Sequence, residues 1–152
     1  MRNYEVSDET YAVIGKNGGR SKIIESYNEY DIEKDAYSVM DESCEYYGSS
    51  YKGRLKASRK ILDCSYKLPI VVEESSFLIF FPTKSSLEED CIFINSSKVK
   101  KIEKVDNNTK FIFENNKELI VPASKLSMDN QIMRSTKLES LLRKRIEAKK
   151  RG

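Results

Sequence analysis

Between Ser49 and Lys60 the chain reads SSYKGRLKASRK, in which Lys52, Arg54, Lys56, Arg59 and Lys60 alternate with small and hydroxyl-bearing residues. Ammonium and guanidinium groups neutralise phosphate, and the hydroxyls of Ser49, Ser50 and Tyr51, with free backbone amides, donate to phosphate oxygens. The chemistry such a stretch could carry is recognition of a polyanion, duplex DNA above all. It is not a nucleotide-binding loop, because GSSYKGR lacks the G-x-x-x-x-G-K-[ST] spacing. The same residues also fit a half-buried amphipathic helix whose lysines only solvate its outer face.

Other chemistry is excluded by what the chain lacks. With no His among 152 residues, it has no Ser-His-Asp triad, no Cys-His dyad, no imidazole metal ligand and no proton shuttle of ordinary pKa near neutrality. Cys44, Cys64 and Cys91, spaced by 20 and 27 residues, include no CxxC pair for zinc or redox work. They read as small buried hydrophobes of a reducing compartment. Glu88, Glu89 and Asp90 could in principle hold Mg²⁺, but three adjacent acids in a Ser-rich loop are more simply a solvated turn. No catalytic residue, metal or cofactor is expected, and the chain does not read as an enzyme. MRNYEVSDET has no apolar signal region, and no stretch approaches the ~18 apolar residues of a membrane span. The expectation is a cytoplasmic protein without a membrane partner.

The net charge of +3 conceals an alternation. Residues 1–45 hold 5 basic and 11 acidic groups, 46–70 hold 6 and 1, 71–97 hold 1 and 5, and 98–152 hold 15 and 7, giving −6, +5, −4 and +8. Two basic blocks hint at an anionic partner. A solvated helix face and the frayed end AKKRG also account for them without one.

The elements that must position these residues follow from periodicity. Cys44, Tyr47, Tyr51 and Leu55 fall within about 80° on a helical wheel, beside a basic flank of Lys52, Lys56, Arg59 and Lys60, so one helix is expected over about 42–61. Gly48 and Gly53 each cost about 1 kcal/mol against Ala inside it, which a close backbone approach to the sheet or a partner would offset. Met128, Ile132, Leu138, Leu141, Leu142 and Ile146 make a second apolar stripe, giving a C-terminal helix over about 125–148. Short strands are expected around Tyr4 and Val6, Tyr11 to Ile14, Ile23 and Ile24, and Tyr37 and Val39. Pro69 to Glu73, Phe77 to Phe81 and Cys91 to Ile94 are stronger strand runs. A meander follows through Val99 and Ile102, Phe111 and Phe113, and Leu119 and Val121, turned by Asp106-Asn107-Asn108 and Asn115-Asn116. Val, Ile, Leu and Phe number 38 of 152 residues, 25%, above the ~20% below which chains stay disordered. The fold class is therefore α+β, a mostly antiparallel β-sheet or barrel-like core with one internal helix and a C-terminal helix, in a single domain over 1–152. No helix-turn-helix is expected.

At the internal helix the sequence is identified by resemblance. SCEYYGSSYKGR (Ser43 to Arg54) resembles the S-C-x-x-aromatic-G-S-S-Y-x-G-R segment of the ComK family of competence transcription factors. The likeness continues through NYEV (Asn3 to Val6), SKIIE (Ser21 to Glu25), LPIVVEES (Leu68 to Ser75), FLIFFPTKSS (Phe77 to Ser86), FIFENNKELIVPAS (Phe111 to Ser124) and NQIMRSTKL (Asn130 to Leu138). Phe93 stands where a Trp often follows the FPT-x-SS block. The resemblance implies a transcriptional activator of genes for DNA uptake and transformation. It implies binding to paired A/T-rich boxes of double-stranded DNA, largely from the minor-groove side, as a homo-oligomer (a dimer or dimer of dimers), with RNA polymerase as a candidate partner. The resemblance also implies that members commonly carry a tail beyond the helix matching Leu138 to Ile146, which contributes to assembly, activation and recognition by an adaptor of the Clp protease. This sequence ends at Gly152, which speaks against that adaptor. The family motif does not say which residues touch DNA. Charge and wheel geometry nominate Ser49, Ser50, Tyr51, Lys52, Arg54, Lys56, Arg59 and Lys60. The alternative is a β-rich module that binds a protein or an anionic surface through the same blocks, with no sequence-selective DNA binding.

Overall fold

The computed structural model describes residues 3–151. Strands β1 (Thr10–Lys16), β2 (Arg20–Glu25) and β3 (Glu29–Ile32) make an antiparallel meander, and Gly18 and Gly19 supply the positive φ (88° and 70°) for its first turn. Helices α1 (Ala36–Tyr46) and α2 (Tyr51–Leu62) follow, then strands β4 (Ile70–Glu73), β5 (Leu78–Pro82) and β6 (Ile92–Asn95). Strand β6 pairs antiparallel with β1, Val13 facing Phe93, which joins the two groups into one six-stranded sheet of order β3-β2-β1-β6-β5-β4. Strands β7 (Val99–Val105), β8 (Asn108–Phe113) and β9 (Glu118–Val121) form a separate three-stranded sheet, and α3 (Lys125–Arg151) ends the described chain. Both sheets keep open edges, so the barrel-like alternative is not what forms.

The central strands are buried on both faces, which explains why they read as unbroken apolar runs. Val13, Phe80 and Phe93 pack with Val39, Met40, Cys44 and Tyr51 of the first two helices. Their neighbours Ala12, Ile14, Phe81, Ile92 and Ile94 pack with Phe111, Phe113, Val121 and Met128. The six-stranded sheet thus lies between a helical layer and a layer made of the small sheet and the start of α3. A third cluster of Leu62, Leu68, Val71, Ile79, Leu138 and Leu142 fastens α3 to the end of α2.

The internal helix differs from the expectation. It is two helices, because Gly48 (φ 94°) stops α1 in a left-handed conformation. The amide of Gly48 donates to the Glu45 carbonyl (3.0 Å) and that of Ser49 to the Cys44 carbonyl (2.9 Å), which satisfies the last carbonyls of α1. Ser50 then restarts the helix by accepting from the Gly53 amide (3.0 Å). Only Gly53 is helical. Tyr37 and Val39 belong to α1 rather than to a strand, since Asp35 caps it through the Ser38 amide (3.1 Å) and Ala36, Val39, Met40, Ser43 and Cys44 line its buried face. No strand forms at Tyr4 and Val6; the buried Val6 instead gives its amide to the Ser43 hydroxyl (3.0 Å). Strand β3, absent from the sequence expectation, forms by pairing with β2.

At the β4–β5 turn the Glu73 carboxylate accepts from the Ser75 and Ser76 amides (2.8 and 3.0 Å) and from both hydroxyls. These bonds, the Ser75 hydroxyl foremost, hold its pKa down to about 2. A depressed carboxylate stabilises the fold above its ordinary value of about 4.5, and that contribution vanishes as pH falls toward about 2. The stability difference between the wild type and Glu73→Gln, followed by urea unfolding, should therefore shrink as pH falls from about 5 to about 2. A difference constant with pH would contradict it.

Candidate nucleic-acid interface

Helix α2 is anchored from its first residue. The Tyr51 amide donates to Asp41 on α1 (2.8 Å), and the Tyr51 ring is 1% exposed, 4.8 Å from the Tyr37 ring and 6.0 Å from that of Phe93. Tyr51 therefore sits behind the surface, with its own amide already engaged. Its hydroxyl is buried without a hydrogen-bond partner, although Ser86 faces it. An orphaned buried donor costs about 1–3 kcal/mol. Burial, foremost, also pushes the phenol pKa well up, so it stays protonated and remains a donor.

Ser50 spends its side-chain oxygen on the Gly53 amide, and Ser49 is half-buried beside it. A Cβ at Gly53 would come within 2.9 Å of the Ser49 hydroxyl and 3.1 Å of that of Ser50, so the glycine makes room for the cap. Arg54 is pulled sideways: its guanidinium bonds Glu74 (3.1 Å), its side chain is only 15% exposed, and its Nε is buried without a partner. Lys52, Lys56, Arg59 and Lys60 do face outward, are exposed, and make no ion pair with any described residue. Gly53 and Ala57 lie exposed among them, so little bulk keeps a partner from the helix backbone.

The second basic block is more neutralised where it is folded into the small sheet. Lys98 pairs with Asp8 and Glu114, Lys101 with Glu103, Lys110 with Glu103 and Glu118, and Lys117 with Glu29. Its exposed end on α3, Lys144, Arg145, Lys149, Lys150 and Arg151, lies on the helix that Leu138 and Leu142 hold against α2.

Sequence reasoning did not reach the neighbouring cleft of about 150 Å³, where α2 meets the loops 63–68 and 83–86. Tyr51 and Arg59 form one wall, Ser65 and Lys67 another, Ser85 and Ser86 a third. Buried Gln131 of α3 ties these walls together, its Nε2 donating to the carbonyls of Lys67 (2.8 Å) and Pro82 (2.6 Å), while its Oε1 accepts from Arg134 (2.9 Å). The signal for Gln131 was its place three residues after Met128, on the apolar stripe of α3.

The acidic triplet has structural work instead. Glu89 accepts from the Gly18 amide, and Asp90 pairs with Lys84 at 2.9 Å, an interaction that raises the lysine pKa and lowers that of the carboxyl. Among the described residues no cluster of three or more acids and cysteines could hold a metal. Burial pushes the Cys44 thiol up to about 12 and the Cys91 thiol to about 11, which leaves both protonated and inert. No described helix is long and apolar enough to cross a membrane.

Comparison with known proteins matches residues 1–147 to the family model described as ComK protein. A protein of Bacillus subtilis (strain 168) named Competence transcription factor is 32% identical over 151 residues, covering 97% of this chain and 79% of that protein. No solved structure matches.

Proposed function

This chain belongs to the ComK family of competence transcription factors, and on that premise we propose that it activates genes of DNA uptake by binding A/T-rich promoter boxes as a homo-oligomer in the cytoplasm. The observation that carries the reading is the flank of Lys52, Lys56, Arg59 and Lys60, exposed and without an ion pair among the described residues, on a helix anchored through Tyr51. Cations without carboxylate partners are free to displace the counterions of a duplex, which supplies a large share of the affinity in such complexes. A/T-rich minor grooves are narrow and strongly negative and attract such side chains without base-specific contacts. Of the residues nominated from sequence, Arg54 and Tyr51 act by holding α2, and Ser50 by capping it.

A second reading concerns the groove alone. Helices α1 and α2, joined across Gly48, are two consecutive helices on a short glycine turn, the connectivity of motifs that insert their second helix in the major groove. Competition among duplexes decides both questions. A preference for A/T-rich over G/C-rich boxes supports selective DNA binding; equal affinity returns the protein to the class of nonselective anion binders. Replacing A·T by inosine·cytosine pairs keeps the minor-groove acceptors but changes the major-groove pattern. Retained affinity favours the minor groove, and lost affinity favours the major. Varying the spacing between boxes reports the symmetry of the assembly.

A further inference from the structure

Three features of the cleft beside α2 belong together. Its walls carry two cations, Arg59 and Lys67, and no carboxylate. The hydroxyls of Ser65 and Ser85, also in its walls, make no hydrogen bond with any described residue. Tyr51, 99% buried, is one of the lining residues, and its hydroxyl, closed to solvent and nearest to Ser86, lacks a hydrogen bond of normal geometry among the described residues. A volume of about 150 Å³ is well above the ~10–15 Å³ that suffices for one water, ample for a tetrahedral anion. The walls are also held rigidly relative to one another, since Gln131 bonds both the Lys67 and Pro82 carbonyls. Charge, unsatisfied donors, size and fixed geometry select one ligand chemistry, a phosphate group.

We propose that this cleft is a phosphate pocket that seats one backbone phosphate of the bound duplex, with Lys67 and Arg59 neutralising it and Tyr51, Ser85 and Ser86 donating to its oxygens. The inference rests on the DNA-binding reading and extends the outer flank of α2, through Arg59, into the neighbouring cleft. It gives the Tyr51 hydroxyl, which Ser86 alone faces, a role that a phenylalanine could not fill. One phosphate held in a fixed pocket also sets the register of the duplex against α2.

The test uses the full chain, an A/T-rich duplex, and the variants Tyr51→Phe and Lys67→Gln. Tyr51→Phe keeps the ring in the core, so its thermal midpoint should not fall. Its duplex affinity should drop about 3- to 10-fold with the salt dependence intact, because the lost donor is neutral. Lys67→Gln should lower the slope of log K against log salt by about 0.9. Duplexes carrying one methylphosphonate at successive positions should reveal a single position that weakens the wild type but not Tyr51→Phe. If both variants bind as the wild type does, while Lys52→Ala with Lys56→Ala weakens binding, the pocket is refuted and the DNA reading stands. A wild type that binds no duplex removes the reading itself. If inorganic phosphate raises the thermal midpoint of the wild type but not of Tyr51→Phe, and the two bind duplex equally, the pocket serves a free phosphate and this proposal is overturned.

Discussion

Lys56→Ala combined with Arg59→Ala should weaken duplex binding by roughly 50-fold at ~0.1 M salt and lower the slope of log K against log salt by about 1.8. The size follows from counterion release at about 0.9 log units per phosphate neutralised, which at ~0.1 M salt is nearly tenfold for each contact. Both side chains are exposed and make no ion pair among the described residues, so their removal leaves no buried charge behind. Arg59 lies in the last turn of α2, where a cation contributes about 0.3–1 kcal/mol through the helix dipole. Stability should fall by no more than that. Lys101, already paired with Glu103 at 3.4 Å on the small sheet, is the matched control; Lys101→Ala should change the slope by much less. Salt titrations of the double variant and the control, by fluorescence anisotropy, measure both. A slope unchanged in the double variant removes α2 from the binding surface.

The contrast between these lysines shows what was legible in the sequence. The flank of α2 depends only on the local period of a helix, so Lys52, Lys56, Arg59 and Lys60 could be placed before any fold was known. Whether a lysine is free can depend on strand register, as where β8 brings Lys110 opposite Glu103, and no local pattern contains that. Arg54 illustrates the same limit, because its partner Glu74 lies twenty residues on, at the next turn of the sheet. Among the elements, β7, β8 and β9 were clear because their turns use Asp106 and Asn116 at positive φ (54° and 68°). Strand β3 was not, since EYDI buries only Ile32 and becomes a strand through its pairing with β2. The start of α1 was hidden because Tyr37 and Val39 alternate as in a strand, although Asp35 caps a helix there through the Ser38 amide. Gly48 registered as a penalty inside one helix. Its left-handed φ makes it instead the residue that ends one helix and lets Ser50 begin the next.

Tyr51→Ala should destabilise the fold by about 3–5 kcal/mol, the cost of truncating a large buried aromatic. In a domain of this size that lowers the thermal midpoint by about 10–15 °C. The side chain is among the largest that are fully buried, packed between the Tyr37 and Phe93 rings where α1, α2 and the six-stranded sheet meet. A cavity there loosens the restart of the helix after Gly48, so the basic flank loses its fixed orientation along with the core. Tyr51→Phe separates packing from polarity. It keeps the ring and removes a hydroxyl that has no partner, so its stability should equal or exceed that of the wild type. Differential scanning calorimetry of the two variants decides the matter. An alanine variant as stable as the wild type would place Tyr51 on the surface, and the whole assignment of inner and outer faces on α2 would have to be reversed.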